Sequence, residues 1–368
     1  MILVLFLALL SHCQQPPTPV EFASQGYPTA AATGISSTPF GTLSQQYPFL
    51  FHVLPLNHQS IMAGPAENEK FSLVVEARLG RQQSNIDIST EVRISEQGQL
   101  PLSPQQSYFR RFADELGRDL ANIDAFWLEY DSDARGSNIL NGRPSLFVIF
   151  KGSLQQPPPT GVYIRAASQH LDLAVPLSHA EIDAALQDTL TSKLPQSQLY
   201  SLGFFCGRAD GGNNSIRAEV IAPLTAALEH LLLRHSRHQS LLKDVFGLNQ
   251  SAKIVVGIDV SGHGALGLDS DVGEKTGLIL TGPKQQTSAT WPTILSFFCS
   301  RPAFFHVDED KCRDAGKLGA AALRTTINNP GPNRLLGNDN HAEFSHIKVV
   351  VTDSLPWEVK VYLEVRNY

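Results

Sequence analysis

The sequence predicts an antiparallel ten-stranded β/α barrel made of five strand–strand–helix repeats. Three observations predict it. Segments of roughly eight residues alternate apolar and polar side chains, the period of a strand with two different faces. These segments come in pairs, and helical stretches separate most pairs. The polar face of most pairs carries charge, so the helices must pack on the other face. An open antiparallel α+β sheet is the alternative, in which the charged face meets water. In a closed barrel that face lines a lumen. A TIM barrel fails, because its strands are parallel and its interior is filled with branched apolar side chains.

The first pair is FSLVVEARLG (71–80) and NIDISTEVRI (85–94). Leu73, Val75, Ala77 and Leu79 oppose Glu76 and Arg78; Ile86, Ile88, Val92 and Ile94 oppose Asp87, Glu91 and Arg93. Phe109, Phe112, Leu116 and Leu120 then recur at helical spacing within 104–120. In the second pair, AFWLEYD (125–131) sets Phe126, Leu128 and Tyr130 against Trp127, Glu129 and Asp131, while SLFVIFK (145–151) is apolar on both faces. QQPPPTG (155–161) reads as a loop, and Ser178 with Glu181 forms a capping-box pattern that starts a helix.

The third pair, LYSLGFFCG (199–207) and SIRAEV (215–220), is joined by the turn-rich RADGGNN. Ile216, Ala218 and Val220 oppose Arg217 and Glu219, and Pro223 suits the first turn of a Leu-rich helix. The fourth pair reads as KIVVGIDV (253–260) and ALGLDSDV (265–272), with helices near 291–300 and 308–324. The fifth is FSHIKVVV (344–351) and VKVYLEV (359–365), joined by the SLPW turn; Lys348, Lys360 and Tyr362 lie on its polar faces.

The chain has 368 residues, 42% hydrophobic and 17% charged, an ordinary globular composition. A net charge of -6 and no Lys/Arg run argue against nucleic acid as a partner. Cys13, Cys206, Cys299 and Cys312 contain no CxxC, so no disulfide framework is expected and a reducing, cytoplasmic setting fits. The opening MILVLFLALL is too short to span a bilayer and lacks the basic start of a signal peptide, although export by an atypical signal stays open. Residues 1–45 read as a poorly ordered lead-in, and 46–368 as one barrel domain.

Three motifs invite chemistry, and each has a plainer reading. GHGALG (262–267) matches GxGxxG but runs into a strand-like segment, so a tight hairpin is expected. His235 and His238 of HSRH sit three apart with no further zinc ligand, so a solvated helix face is expected. Asp308 of DEDKCRD is placed to cap a helix rather than to bind metal. No GxSxG and no P-loop occur, so nucleophilic and NTPase chemistry lack support.

What remains is the charged strand face. Arg78, Arg217, Lys348 and Lys360 come from separate strands, accompanied by Glu76, Glu129 and Glu219. If the sheet closes, these side chains converge, and they must be hydrated, paired or holding a ligand. The repeat plan, the KVY of Lys360–Tyr362 and the stretch IVVGIDVSGHGALGLD resemble the aromatic prenyltransferase superfamily, the ABBA or PT barrel, over about residues 70–366.

That resemblance implies transfer of a prenyl group from a prenyl diphosphate to an aromatic or peptide acceptor, of the kind used in natural-product biosynthesis. Arg78, Arg217, Lys348, Lys360 and Tyr362 would hold the diphosphate, and Glu76 or Glu129 would orient the acceptor and take its proton. Trp127 and Phe147 would shield the allyl cation. No cofactor is required, and Mg2+ is optional. The alternatives are a non-catalytic binding or scaffold protein of the same architecture and an exported ligand-binding protein with an open sheet. The non-catalytic reading expects the inward cations to be paired by carboxylates.

Overall fold

The computed structural model describes residues 46, 48–51, 71–80, 86–93, 109–131, 144–152, 160–171, 178–205, 215–249, 251–260, 276–281, 290–328 and 340–367. All of them lie in one compact unit, Ser36–Tyr368. The lead-in expected over 1–45, the RADGGNN connection and GHGALG fall outside the described residues.

The strands are β1 (Phe71–Arg78), β2 (Ile86–Arg93), β3 (Ile123–Asp131), β4 (Ser145–Phe150), β5 (Gln198–Phe205), β6 (Ser215–Pro223), β7 (Lys253–Val260), β8 (Thr276–Thr281), β9 (Phe305–His306), β10 (Asn340–Val351) and β11 (Trp357–Asn367). Neighbours follow chain order from β1 to β8, then β10 and β11, and β1 pairs with β11 from Phe71↔Asn367 to Arg78↔Lys360. That last antiparallel ladder closes the sheet into a barrel and overturns the open-sheet alternative. The two-residue β9, which the alternation did not reveal, pairs in parallel with Trp357 and Glu358 at the start of β11 and stands outside the antiparallel ring of ten.

The longer α-helices among the described residues are α1 (Arg110–Leu116), α2 (Thr160–His170), α3 (His179–Asp188), α4 (Leu224–Arg234), α5 (Gln239–Gly247), α6 (Thr290–Cys299) and α7 (Glu309–Asn328). They cover the outer face of the sheet. The core lies between, where Val75, Ile88, Phe126, Val148 and Val361 meet Phe112, Tyr163, Leu231, Phe298 and Leu318. Local chemistry sets several boundaries. Glu181 N–H donates to Ser178 Oγ at 3.3 Å and Ser178 N–H donates to Glu181 Oε2 at 2.8 Å, the reciprocal capping box that starts α3. Asp308 Oδ1 accepts the backbone N–H groups of Asp310 and Lys311 at 3.1 and 3.2 Å, so DEDKCRD is a helix start.

Four expectations need correction. The partner of β7 is TGLILT, Thr276–Thr281, not 265–272, a stretch outside the described residues. The segment 155–161 is not loop throughout, because α2 begins at Thr160, whose backbone N–H donates to Asp183 Oδ1 at 3.1 Å. His235 is buried, not solvated: α4 stops at Arg234, and His235 Nδ1 lies 2.8 Å from Asp353 Oδ1 in the β10–β11 turn. Finally, Cys299 and Cys312 form a disulfide between the end of α6 and the start of α7, where none was expected. Their separation of 13 residues gave no sequence signal, and the packing of α6 on α7 brings them together.

Candidate functional site

Alternation aims Glu76 and Arg78 of β1, Asp87 of β2, Glu129 of β3, Arg217 and Glu219 of β6, His346 and Lys348 of β10 and Lys360 and Tyr362 of β11 into the barrel lumen. The register then decides who meets whom. Tyr362 lies directly opposite Glu76 on β1–β11, and Lys360 lies one step along the same face. Tyr362 Oη accordingly donates to Glu76 Oε2, and Lys360 Nζ donates to Glu76 Oε1 at 2.5 Å. Arg78 Nε stands 3.5 Å from Glu76 Oε1. Its other nitrogens reach Asp87 at 3.2 Å and Glu358 at 3.5 Å.

The ladders also place like charges opposite each other, Glu76 against Asp87 and Lys348 against Lys360. Such pairs repel. Arg78 relieves the first by binding both carboxylates. The second is relieved because Lys360 turns to Glu76 while Lys348 turns the other way, to Glu219 at 3.7 Å. Glu219 is fixed from its opposite number on β5, Ser201, whose hydroxyl donates to Oε2 at 2.8 Å.

These neighbours move the titrations. Burial alone would push the Glu76 carboxyl up, but Lys360 and Arg78 outweigh it and hold the group well below the ordinary carboxylate range. Asp87 moves well above its ordinary value, through burial and the nearby charges of Glu76 and Glu129. Burial, then Glu76, keeps Tyr362 protonated. His346, stacked on Tyr362 at 4.0 Å, is pushed down to about 3 by burial and by Lys348. Lys348 is itself lowered, by burial first and then by Arg217.

The other sector of the lumen is apolar. Ala125 of β3, Phe147 and Ile149 of β4 and Phe205 of β5 form a second cluster, joined by Trp127 and Tyr200. This explains why β4 is apolar on both faces: Leu146, Val148 and Phe150 face the helices, and Phe147 and Ile149 face the lumen. Phe147 meets Phe205 edge-on at 5.4 Å, and the Arg217 guanidinium lies over the Phe205 ring at 4.8 Å. In the closed strand order β4 stands across the lumen from β10, and β5 across from β11. The aromatic sector therefore faces the charged one.

All seven residues singled out from the sequence, Glu76, Arg78, Glu129, Arg217, Lys348, Lys360 and Tyr362, lie on the lumen face. Glu76, Arg78, Lys360 and Tyr362 form one contiguous network. Lys348 joins Glu219 instead. Glu129 makes itself felt through its charge on Asp87 and Tyr362. The sequence reading did not select Asp87, Glu358, His346, Tyr200 or Phe205. Their signal lay in cross-strand register, which is not available strand by strand. Arg78, Lys348 and Lys360 each meet a carboxylate, the pairing that a non-catalytic barrel was expected to show. Among the described residues, no group of three or more His, Cys, Asp and Glu side chains is placed to hold a metal ion, and no helix is long and apolar enough to cross a membrane.

No protein-family model matches the sequence, and no curated protein matches it significantly. Solved structures do match its fold. The 6-dimethylallyltryptophan synthase of Micromonospora olivasterospora, solved in complex with DMASPP and Trp, is similar with a TM-score of 0.51 at 12% identity, over 88% of this chain and 96% of that one. The 5-dimethylallyltryptophan synthase of Streptomyces coelicolor is similar with a TM-score of 0.51 at 12% identity, over 89% of this chain and 97% of that one. The chain thus has the fold that its repeat plan resembles, the closed ten-stranded antiparallel barrel of the aromatic prenyltransferases.

Proposed function

We propose that the chain transfers a prenyl group from a prenyl diphosphate to an aromatic or peptide acceptor held in the lumen. One observation carries the reading: a sector holding Arg78, Lys348, Lys360 and Tyr362 faces an aromatic sector across one barrel, and Arg217 borders that aromatic sector over Phe205. Transfer breaks the C–O bond to the diphosphate, which leaves with the electron pair. Cations from several strands stabilise that charge as it develops, and Tyr362 adds a hydroxyl donor. Trp127, Phe147 and Phe205 shield the allyl cation and keep water away. The acceptor carbon or heteroatom supplies electrons for the new bond and then loses its proton. Glu76, held ionised by Lys360 and Arg78, orients the acceptor, and Glu76 or Glu129 takes that proton. The cationic face does the work that a metal does elsewhere; Mg2+ remains an optional companion of the diphosphate.

Incubation with dimethylallyl or geranyl diphosphate and a panel of indoles, phenols and peptides, read by mass spectrometry, tests this. A prenylated product is the expected outcome. No product, together with no heat of diphosphate binding, removes it. The second reading, a non-catalytic binding protein, rests on the carboxylate partners of Arg78, Lys348 and Lys360, which an incoming diphosphate has to displace. Lys360→Ala separates the roles: a diphosphate site predicts weaker binding with the thermal transition kept.

The cysteine count favoured the cytoplasm, but the Cys299–Cys312 bridge favours an oxidising compartment. Alkylation of the protein as it leaves the cell, read by mass spectrometry, distinguishes free thiols from a bridge.

A further inference from the structure

Two glycines lie side by side on the lumen wall. Gly257 of β7 is the register partner of Gly277 of β8, and Gly257 is also the partner of Glu219 on β6. Beyond Glu219 the wall is bare backbone for the width of two strands. Lys348 enters from β10, on the far side of β8, and lies along this strip. A Cβ on Gly277 would stand 2.7 Å from Lys348 Cε and 3.6 Å from Nζ, so any side chain there takes the space the lysine occupies. The ammonium ends 3.7 Å from Glu219 Oε1, and the residue is only 6% exposed. Lys360, directly opposite Lys348 on β11, repels it toward the strip.

We propose that Gly277 is a positioning residue: by lacking a side chain it lets Lys348 lie flat against the wall and park on Glu219. One cation of the site is thus held in reserve, in a conformation set by a neighbouring strand. The parking stands on geometry alone. Its meaning for a diphosphate rests on the function proposed above.

Reductive methylation with formaldehyde and cyanoborohydride, followed by peptide mass spectrometry, reads the accessibility of Lys348 against exposed Lys317 in the same sample. In Gly277→Ala the side chain is pushed off the strip, and Lys348 should label faster by about fivefold, the population change that release of one weak ion pair allows. Gly257→Ala is the control. A Cβ there meets nothing closer than Arg217 Cδ at 3.6 Å, an ordinary contact, so Lys348 should label as in the native protein. An unchanged rate in Gly277→Ala overturns the proposal, and so does equal acceleration in Gly257→Ala. If Gly277→Ala does not fold, Glu219→Gln removes the anchor without touching the wall and must accelerate labelling; no acceleration is again fatal. Calorimetry with inorganic pyrophosphate keeps the two ideas apart. Faster labelling with no pyrophosphate heat in either protein leaves the positioning role standing, and together with the absence of a prenylated product it ends the diphosphate reading.

Discussion

Glu76→Gln removes the charge on which Lys360, Arg78 and Tyr362 converge. The Lys360–Glu76 contact is 2.5 Å, with side-chain exposures of 12% and 6%. At an effective dielectric of about 20 the gross attraction at that distance is roughly 7 kcal/mol. Desolvation of both ions cancels most of it, but breaking such a pair strands the surviving charge, at a cost of about 3–5 kcal/mol. Lys360→Met should cost less, because Glu76 keeps Arg78 at 3.5 Å.

Urea unfolding at neutral pH of the native protein, Glu76→Gln, Lys360→Met and the double variant closes a thermodynamic cycle. Its coupling energy should be about 2 kcal/mol or more. Because the folded Glu76 titrates below its ordinary value of 4.5, its contribution is complete above that pH and fades only as pH falls through the lower, folded value. The coupling should therefore be the same at pH 5 as at pH 7. A value below about 1 kcal/mol, typical of exposed pairs, would refute the claim that the barrel shields this network.

Other perturbations probe different parts of the fold. Asp87→Asn should stabilise the protein at pH 7, read as a higher urea midpoint than the native protein's. The folded Asp87 titrates above its ordinary 3.8, so its stability is greatest in acid and is lost as pH rises through the folded value. At pH 3 the benefit should vanish. Replacing Cys299 and Cys312 by serine opens a loop of 13 residues and should cost about 3 kcal/mol in chemical denaturation; an unshifted midpoint in non-reducing buffer would mean that the bridge does not form. Gly203→Ala brings a Cβ to 2.5 Å from Phe147 Cε1, so it should destabilise by about 1–3 kcal/mol and drive that ring from its edge-on contact with Phe205, visible in the aromatic NMR shifts.

Much of the barrel was legible strand by strand. Alternation in β1 alone separates Val75 and Ala77 from Glu76 and Arg78, because a strand sends successive side chains to opposite faces whatever it pairs with. Where alternation is weak the reading failed. TGLILT carries no charge on either face, so alternation points to the more polar 265–272 in its place. Likewise His235 sits at the end of an amphipathic helix, and nothing nearby in the chain announces that Asp353 will cover it.

By itself, then, the sequence determined which side chains share a face, how many strand pairs there are, and that the charged faces needed a common destination. Only the tertiary structure decided that β1 closes on β11, bringing Glu76 to Lys360 across 284 residues of chain. It also decided that Lys348 turns to Glu219 and that Cys299 reaches Cys312. The physical reason is that facing is a property of one strand, whereas partnership depends on register between strands. That register follows from the packing of the whole sheet and its helices.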